Sequence, residues 1–261
     1  MDIKYKRIVF KVGSGVLAER NSIAKERMMS LVSFLSKLRR NGHEVILVTS
    51  GAVAAGYTAL KLDRTKKISK KVLASVGQPI LMSSYKAKFD IYGVDISQIL
   101  LTEDDFDSRR RTEIFRQIIN TTLENGILPI LNENDISTTP DQVFGDNDQL
   151  SAHVAHHTSA DLLVILSDID GYYDSNPSEN PHAKMLKVIN EISEEELSAD
   201  TTPNDEFATG GIVTKLKAAK YLMDNNKSMF LCSGYKLEDA QSFLIDNEHK
   251  KGTLFTNKTN D

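Results

Sequence analysis

Short apolar runs separated by stretches of helical periodicity restrict this chain more than any other feature. They fall at residues 7–12, 44–49, 95–101, 127–131, 162–167 and 228–231, are rich in Val, Ile and Leu, and lack the polar alternation of a half-exposed strand. Strands of that kind are covered on both faces. Between them, residues 25–40 carry Met28, Leu31, Val32, Leu35 and Leu38 at helical steps and close on Asn41-Gly42. Residues 112–125 repeat the device with Ile114, Ile118 and Leu123 before Gly126, and residues 214–226 with Leu216, Ala219 and Leu222. The pattern predicts βαβ units around a mostly parallel, buried sheet. No repeat, low-complexity tract or Pro/Gly-rich linker divides the 261 residues, which therefore read as a single domain, 1–261. Residues 140–209 are richer in polar and turn residues, and hairpins and lids are expected there.

Charge narrows the function. With 32 Lys+Arg against 36 Asp+Glu, the net charge of −4 does not suit a chain that coats nucleic acid, so a phosphate site must be local. The run Lys61, Arg64, Lys66, Lys67, Lys70 and Lys71 reads as a solvated face, and no nucleic-acid partner is expected. No apolar run is long enough to cross a bilayer, and the charged start of the chain passes straight into a strand, so no membrane partner and a cytoplasmic location are expected. The single Cys232 and the lack of zinc-ligand spacing predict a reducing compartment and no protein metal site. His153, His156 and His157 fall in one helical stretch, away from any nucleophile, and read as core-edge side chains.

Four glycine-bearing turns follow strands or open helices: Lys11-Val12-Gly13-Ser14-Gly15, Ser50-Gly51-Ala52, Gly145-Asp146-Asn147-Asp148, and Thr209-Gly210-Gly211-Ile212-Val213-Thr214-Lys215. None has the spacing of a P-loop or a dinucleotide fingerprint. Any one of them alone is a plain turn. Together, at the carboxyl ends of a parallel sheet, they can face one crevice. Lys11 ends an apolar strand, where a cation needs a partner; it is either half of a structural ion pair or an ammonium aimed at phosphoryl oxygens, as Lys215 would be. Asn132-Glu133-Asn134-Asp135 follows the fourth strand as an unbroken polar run, either an Asx turn or a ligand loop. Ser167-Asp168 ends the fifth strand, where contact with a nucleotide and metal binding are both open.

These segments, in this order, resemble the amino-acid-kinase family, and within it the members that act on the side-chain carboxylate of L-glutamate. The resemblance runs from Lys6 to about Phe255. It implies a three-layer α/β/α sandwich with a mostly parallel central sheet, the amino acid over residues 1 to about 160 and ATP over about 161 to 261. It implies catalytic Lys11, Lys215 and Asp148, the last holding the lysines in place. Substrate-binding positions would be Ser50, Gly51, Asp135 and Asn147, with Asp135 taking the substrate ammonium. ATP-binding positions would be Lys11, Gly13, Ser167, Asp168 and Thr209, Gly210, Gly211, Ile212, Val213, Thr214 and Lys215, with Gly13 and Gly51 bringing N–H groups close. ATP would be the co-substrate and Mg²⁺ would ride on its phosphates through waters. The chain stops soon after Phe255, so the C-terminal PUA domain of many relatives is not expected. The resemblance further implies a homo-oligomer, dimer or tetramer. Feedback by proline is also implied, with a loop from Gly56 to Lys71 closing over the bound ligand. Acetylglutamate, aspartate and uridylate kinases, or a nucleotide-binding protein that has lost the chemistry, are the alternatives. Asp135 argues against an N-acetylated or phosphate-bearing acceptor.

Overall fold

A computed structural model describes residues 4–19, 22–138, 147–177, 179–198 and 211–257. Among them, eight strands form one sheet: β1 (Arg7–Val12), β2 (Glu44–Val48), β3 (Ile96–Leu101), β4 (Leu128–Glu133), β5 (Leu162–Ser167), β6 (Val188–Ile189), β7 (Ser228–Ser233) and β8 (Thr253–Phe255). Their spatial order is β6-β8-β7-β5-β1-β2-β4-β3. All neighbours pair in parallel except β7 with β8.

The described helices that build the site are α1 (Lys25–Arg40), α2 (Ala52–Ala59), α3 (Lys67–Phe89), α4 (Arg109–Glu124), α5 (Asn147–His157), α6 (Ile212–Asp224) and α7 (Glu238–Leu244). Successive strand residues point to opposite faces and split the core in two. Ile8, Phe10, Val45, Leu47, Val164 and Phe230 pack with α1, α3 and α7. Val9, Ile46, Val48, Leu163, Ile165 and Leu231 pack with α4, α5 and α6. The result is the expected three-layer sandwich, with the central strands covered on both faces. The edge strand β3, expected to be covered likewise, instead exposes Gln98 and Leu100, because among the described residues no further strand or helix covers that side.

Several expectations need correction. The antiparallel strand β8, inserted between β6 and β7, gives no alternation over its three residues and is not legible in the periodicity. Ile114 and Ile118 face outward on α4, while Thr112, Phe115 and Ile119 are buried, so the apolar stripe sits one position later than the spacing suggested. The stretch from Gly56 to Lys71 is not one loop. Gly56 lies inside α2 and residues 67–71 open α3, a helix of 23 residues, which leaves only 60–66 irregular. A Cβ on Gly56 would stand 1.9 Å from the Leu73 carbonyl oxygen, and one on Gly77 would stand 1.7 Å from that of Ala52. The two helices therefore meet backbone to backbone, which only glycine allows. In the polar stretch, Tyr172–Tyr173 and Met185–Leu186 form an antiparallel hairpin. Residues 140–146 and 199–209 of that stretch lie outside the described residues, as do Gly145, Asp146, Thr209 and Gly210.

Candidate active site

Five strands deliver their carboxyl ends to one edge. In spatial order, β7, β5, β1, β2 and β4 bring Ser233-Gly234, Ser167-Asp168, Lys11-Gly13, Ser50-Gly51 and Asn132 to Asp135. The chain runs from β1 to β2 on one side, while β5 lies on the other, so the order reverses at β1. Crevices form at such a reversal.

At the centre, Lys11 shares the face of Val9 and points toward α5 and α6. Its Nζ lies 2.5 Å from Asp148 Oδ1, and Lys215 Nζ lies 3.2 Å from Asp148 Oδ2. Thr214 Oγ1 donates to the same Oδ2 at 3.0 Å. Asp148 is 0% exposed, Lys11 6% and Lys215 4%. Asp148 sits in the first turn of α5 and Lys215 in the first turn of α6, so both helices present their N-terminal ends to the crevice. Burial pushes the Asp148 carboxyl up, but the charges of Lys11 and Lys215 outweigh it and hold the group well below the usual carboxylate range. Two ammonium groups on one carboxylate leave a net positive charge. That suits an incoming anion.

On the β5–β7 side, Ser167 Oγ donates to Asp168 Oδ1 at 2.8 Å, and a Cβ on Gly15 would stand 3.7 Å from Asp168 Oδ2. The turn after β1 thus lies against Asp168. The Gly13 N–H does not reach into the crevice, because it donates to the Leu166 carbonyl at 3.1 Å. What Gly13 contributes is a missing side chain, 3.8 Å from the Lys11 ammonium. Gly234, which sequence reasoning passed over, donates to the Ser167 carbonyl and leaves room for Val16, which a Cβ would meet at 2.5 Å. The Gly211 carbonyl lies 2.9 Å from Thr214 Oγ1 and shares that hydroxyl's one proton with Asp148 Oδ2; Gly211 caps α6, and Ile212 and Val213 open its first turn.

On the β2–β4 side a network of neutral amides lies beside the Asp135 loop. Asn147 Nδ2 lies 2.6 Å from the Thr49 carbonyl, 3.0 Å from Ser50 Oγ and 2.9 Å from Asn132 Oδ1. Asn132 Nδ2 donates to Gln78 Oε1 at 2.9 Å. Gly51 holds φ +104°, the left-handed turn that swings the chain from Ser50 into α2. Asp135 is half-buried; burial pushes its carboxyl up and the Lys71 charge opposes that. Lys71 Nζ donates to the carbonyls of Ile136, at 3.2 Å, and Thr138. Lys71 is therefore a strut for the Asp135 loop, not part of a solvated face. Lys71, Gln78 and Tyr85 recur every seven residues on one side of α3, and Tyr85 Oη shares a 2.8 Å hydrogen bond with Thr49 Oγ1. Asn132 belongs to the polar run flagged as a possible ligand loop, whereas Gln78 and the strut role of Lys71 are not read from the sequence. The seven-residue spacing was the signal that could have found the helical pair.

Comparison with known proteins gives the family. The model of the amino acid kinase family matches residues 6–233. A glutamate 5-kinase of Wolinella succinogenes is 53% identical over 254 residues, covering 96% of this chain and 97% of its own length. The chain belongs to the amino acid kinase family. A glutamate 5-kinase of Leishmania donovani is 49% identical over 96% of this kinase and 95% of its own length. One of Streptococcus gordonii is 39% identical over 97% of this kinase but only 69% of its own length. Among solved structures, a T. acidophilum isopentenyl phosphate kinase superposes with a TM-score of 0.65 at 16% identity, covering 95% of this kinase and 99% of that chain. A UMP kinase of Bacillus anthracis gives 0.65 at 17% identity, covering 98% and 97%. At such identities these two show the fold alone. This amino acid kinase is a phosphotransferase enzyme with ATP as co-substrate. Among the described residues, no helix is long and apolar enough to cross a membrane.

Proposed function

We propose that this kinase transfers the γ-phosphoryl group of ATP to the side-chain carboxylate of L-glutamate, giving L-glutamyl 5-phosphate, the first step of proline biosynthesis. The observation that carries the reading is the buried pair of lysines held by one carboxylate at the sheet's switch point. A glutamate side chain, with an ordinary pKa of about 4.3, is already ionised at neutral pH. It attacks without a general base. One carboxylate oxygen forms a bond to the γ-phosphorus as the bond to the β-phosphate bridging oxygen breaks, and ADP leaves with the electron pair. Catalysis is then alignment plus neutralisation of the charge that spreads over the transferring group. Lys11, on the central strand, supplies charge at the transferring phosphoryl; Lys215, from the α6 end, supplies it toward the leaving β-phosphate; Asp148 fixes both.

ATP lies over β5 and β7, along Gly13, Ser167, Asp168 and the segment Thr209 to Lys215. Glutamate lies over β2 and β4, with its ammonium at Asp135 and its backbone end against Asn147, Ser50 and the Gly51 turn. Residues 1–160 and 161–261 would form these two halves of one domain. Among the described residues no group of three or more His, Cys, Asp or Glu could hold a metal ion. Mg²⁺ would ride on the nucleotide phosphates through waters, and no protein step runs through it. Association of copies is part of the reading, supported by the exposed Ile114 and Ile118, one turn apart on α4. So are a cytoplasmic location and competition by proline at the glutamate site.

The test is coupled detection of ADP release from Mg-ATP across glutamate, acetylglutamate, aspartate and UMP, with hydroxylamine trapping the acyl phosphate of the three amino acids. Glutamate is expected to give the most hydroxamate. A higher rate with acetylglutamate would remove the substrate assignment.

A further inference from the structure

The amide network on the β2–β4 side has a polarity that can be worked out bond by bond. The Thr49 main-chain carbonyl can only accept, so the Asn147 atom 2.6 Å from it is the NH₂ group. That NH₂ also faces Asn132 Oδ1, which in addition accepts from the Glu133 N–H at 3.0 Å. Asn132 must then donate through Nδ2, and Gln78 must receive that bond on Oε1. One backbone carbonyl therefore orients three side-chain amides in series. Two atoms remain: Asn147 Oδ1, an acceptor, and Gln78 Nε2, a donor. Both are buried and have no hydrogen-bond partner among the described residues. Buried polar atoms without partners are costly and call for a ligand or water.

The two leftover atoms form one acceptor and one donor beside the half-buried Asp135 loop. An α-amino acid presents the complement, an ammonium and a carboxylate on one carbon. Position says which carboxylate. Lys11 pairs in register with Val48, and Val48 with Leu131, so Asn132 lies one residue beyond that level and two strands away, roughly 9.6 Å across the sheet. The reacting carboxylate must meet the phosphoryl group near Lys11, which leaves the α end for Gln78.

We infer that Gln78 is a substrate-binding residue whose Nε2 donates to the α-carboxylate of the amino acid, while Asn147 Oδ1 accepts from its α-ammonium. The assignment rests on the proposed glutamate reading and adds a contact on α3, a helix outside all four glycine turns. Gly77 brings α3 onto the α2 backbone and so fixes how far Gln78 stands from the Ser50–Gly51 turn.

Two variants separate contact from scaffold. Gln78→Glu keeps an oxygen that accepts from Asn132 and turns the donor into an anion facing the substrate carboxylate. Gln78→Met removes both functions without adding charge. The inference predicts that KM for glutamate rises about tenfold in Gln78→Met and about 100-fold in Gln78→Glu, the scale of a hydrogen bond to a charged group. In both, kcat and KM for ATP stay near wild type; Tm holds in Gln78→Glu and falls modestly in Gln78→Met, which leaves Asn132 Nδ2 without its acceptor. If Gln78 only supports Asn132, Gln78→Glu is nearly wild type while Gln78→Met is impaired, and the inference falls. It falls equally if neither variant changes KM for glutamate. A wild-type chain that does not phosphorylate glutamate would sink the functional reading, whereas a working wild type with an unimpaired Gln78→Glu would sink only this contact.

Discussion

Two polar clusters occupy the same edge of the sheet and are built on opposite principles. The Lys11–Asp148–Lys215 cluster is charged, fully buried and tightly paired on the α5–α6 face. The Asn147–Asn132–Gln78 cluster is neutral, reaches α3 on the other face, and leaves two of its atoms without partners among the described residues. Buried charges survive only when paired, so the first cluster is rigid before any ligand arrives. Rigid charge is suited to a transition state, where reorganisation would cost rate. Neutral amides with spare valence are suited to a ground state, reading the polar end of a substrate by hydrogen bonds. One cluster should therefore govern kcat and the other KM.

The sharpest way to break the contrast is Asp148→Asn. It leaves two buried ammonium groups without a counter-charge, and losing one partner of a buried ion pair costs about 3–5 kcal/mol. Thermal melting should show a large fall in Tm together with loss of activity. Removal of either lysine leaves a neutral pair and should cost much less stability. The same carboxyl gives a pH dependence. Its folded pKa is depressed, so its stabilising effect is complete above the ordinary carboxylate range, about pH 4, and is lost as pH falls below it. Acid unfolding of wild type should steepen below that point, and Asp148→Asn should lack the added slope.

Next in size are Lys11→Ala and Lys215→Ala. Each should lower kcat by about 10²–10³-fold with little change in KM for glutamate, because the charge they meet develops only during transfer. Drops below about tenfold in both, on that scale, would mean that the lysines serve the fold.

Smaller effects probe the amide side. Asp135→Asn keeps the side-chain size and removes the anion, so KM for glutamate should rise while KM for ATP holds. Proline shares the α-carboxylate and ammonium with glutamate, so it should inhibit, be relieved by glutamate, and weaken in parallel in Asp135→Asn. Inhibition that glutamate cannot relieve would place control at another site.

The same contrast explains what could be read from the chain. Strand runs that are apolar on both faces announce themselves, and β1, β5 and α1 lie where the periodicity put them. Lys11 stands out because a cation ends an apolar run, whereas Lys215 is marked by its glycine-rich segment and Asp148 by the motif that resembles the family. The α3 contribution was not legible in that way. Its docking depends on Gly56 and Gly77, glycines inside helices that look like ordinary breaks. The amide network joins Thr49, Gln78, Asn132 and Asn147 across three separate elements and the turn after β2, and no local pattern encodes which amide faces which carbonyl. Ile114 and Ile118 misled for a related reason: apolar spacing marks a stripe, and it does not say whether the stripe faces the core or solvent.

The most direct test of the central claim is a paired steady-state comparison of Lys215→Ala and Asp135→Asn with glutamate and ATP varied independently. The account predicts a fall in kcat of about 10²–10³-fold with KM for glutamate unchanged in the first. In the second it predicts a rise in KM for glutamate with kcat and KM for ATP unchanged. If both variants move the same parameter by similar factors, the division of the edge into a transition-state cluster and a substrate-reading cluster is wrong.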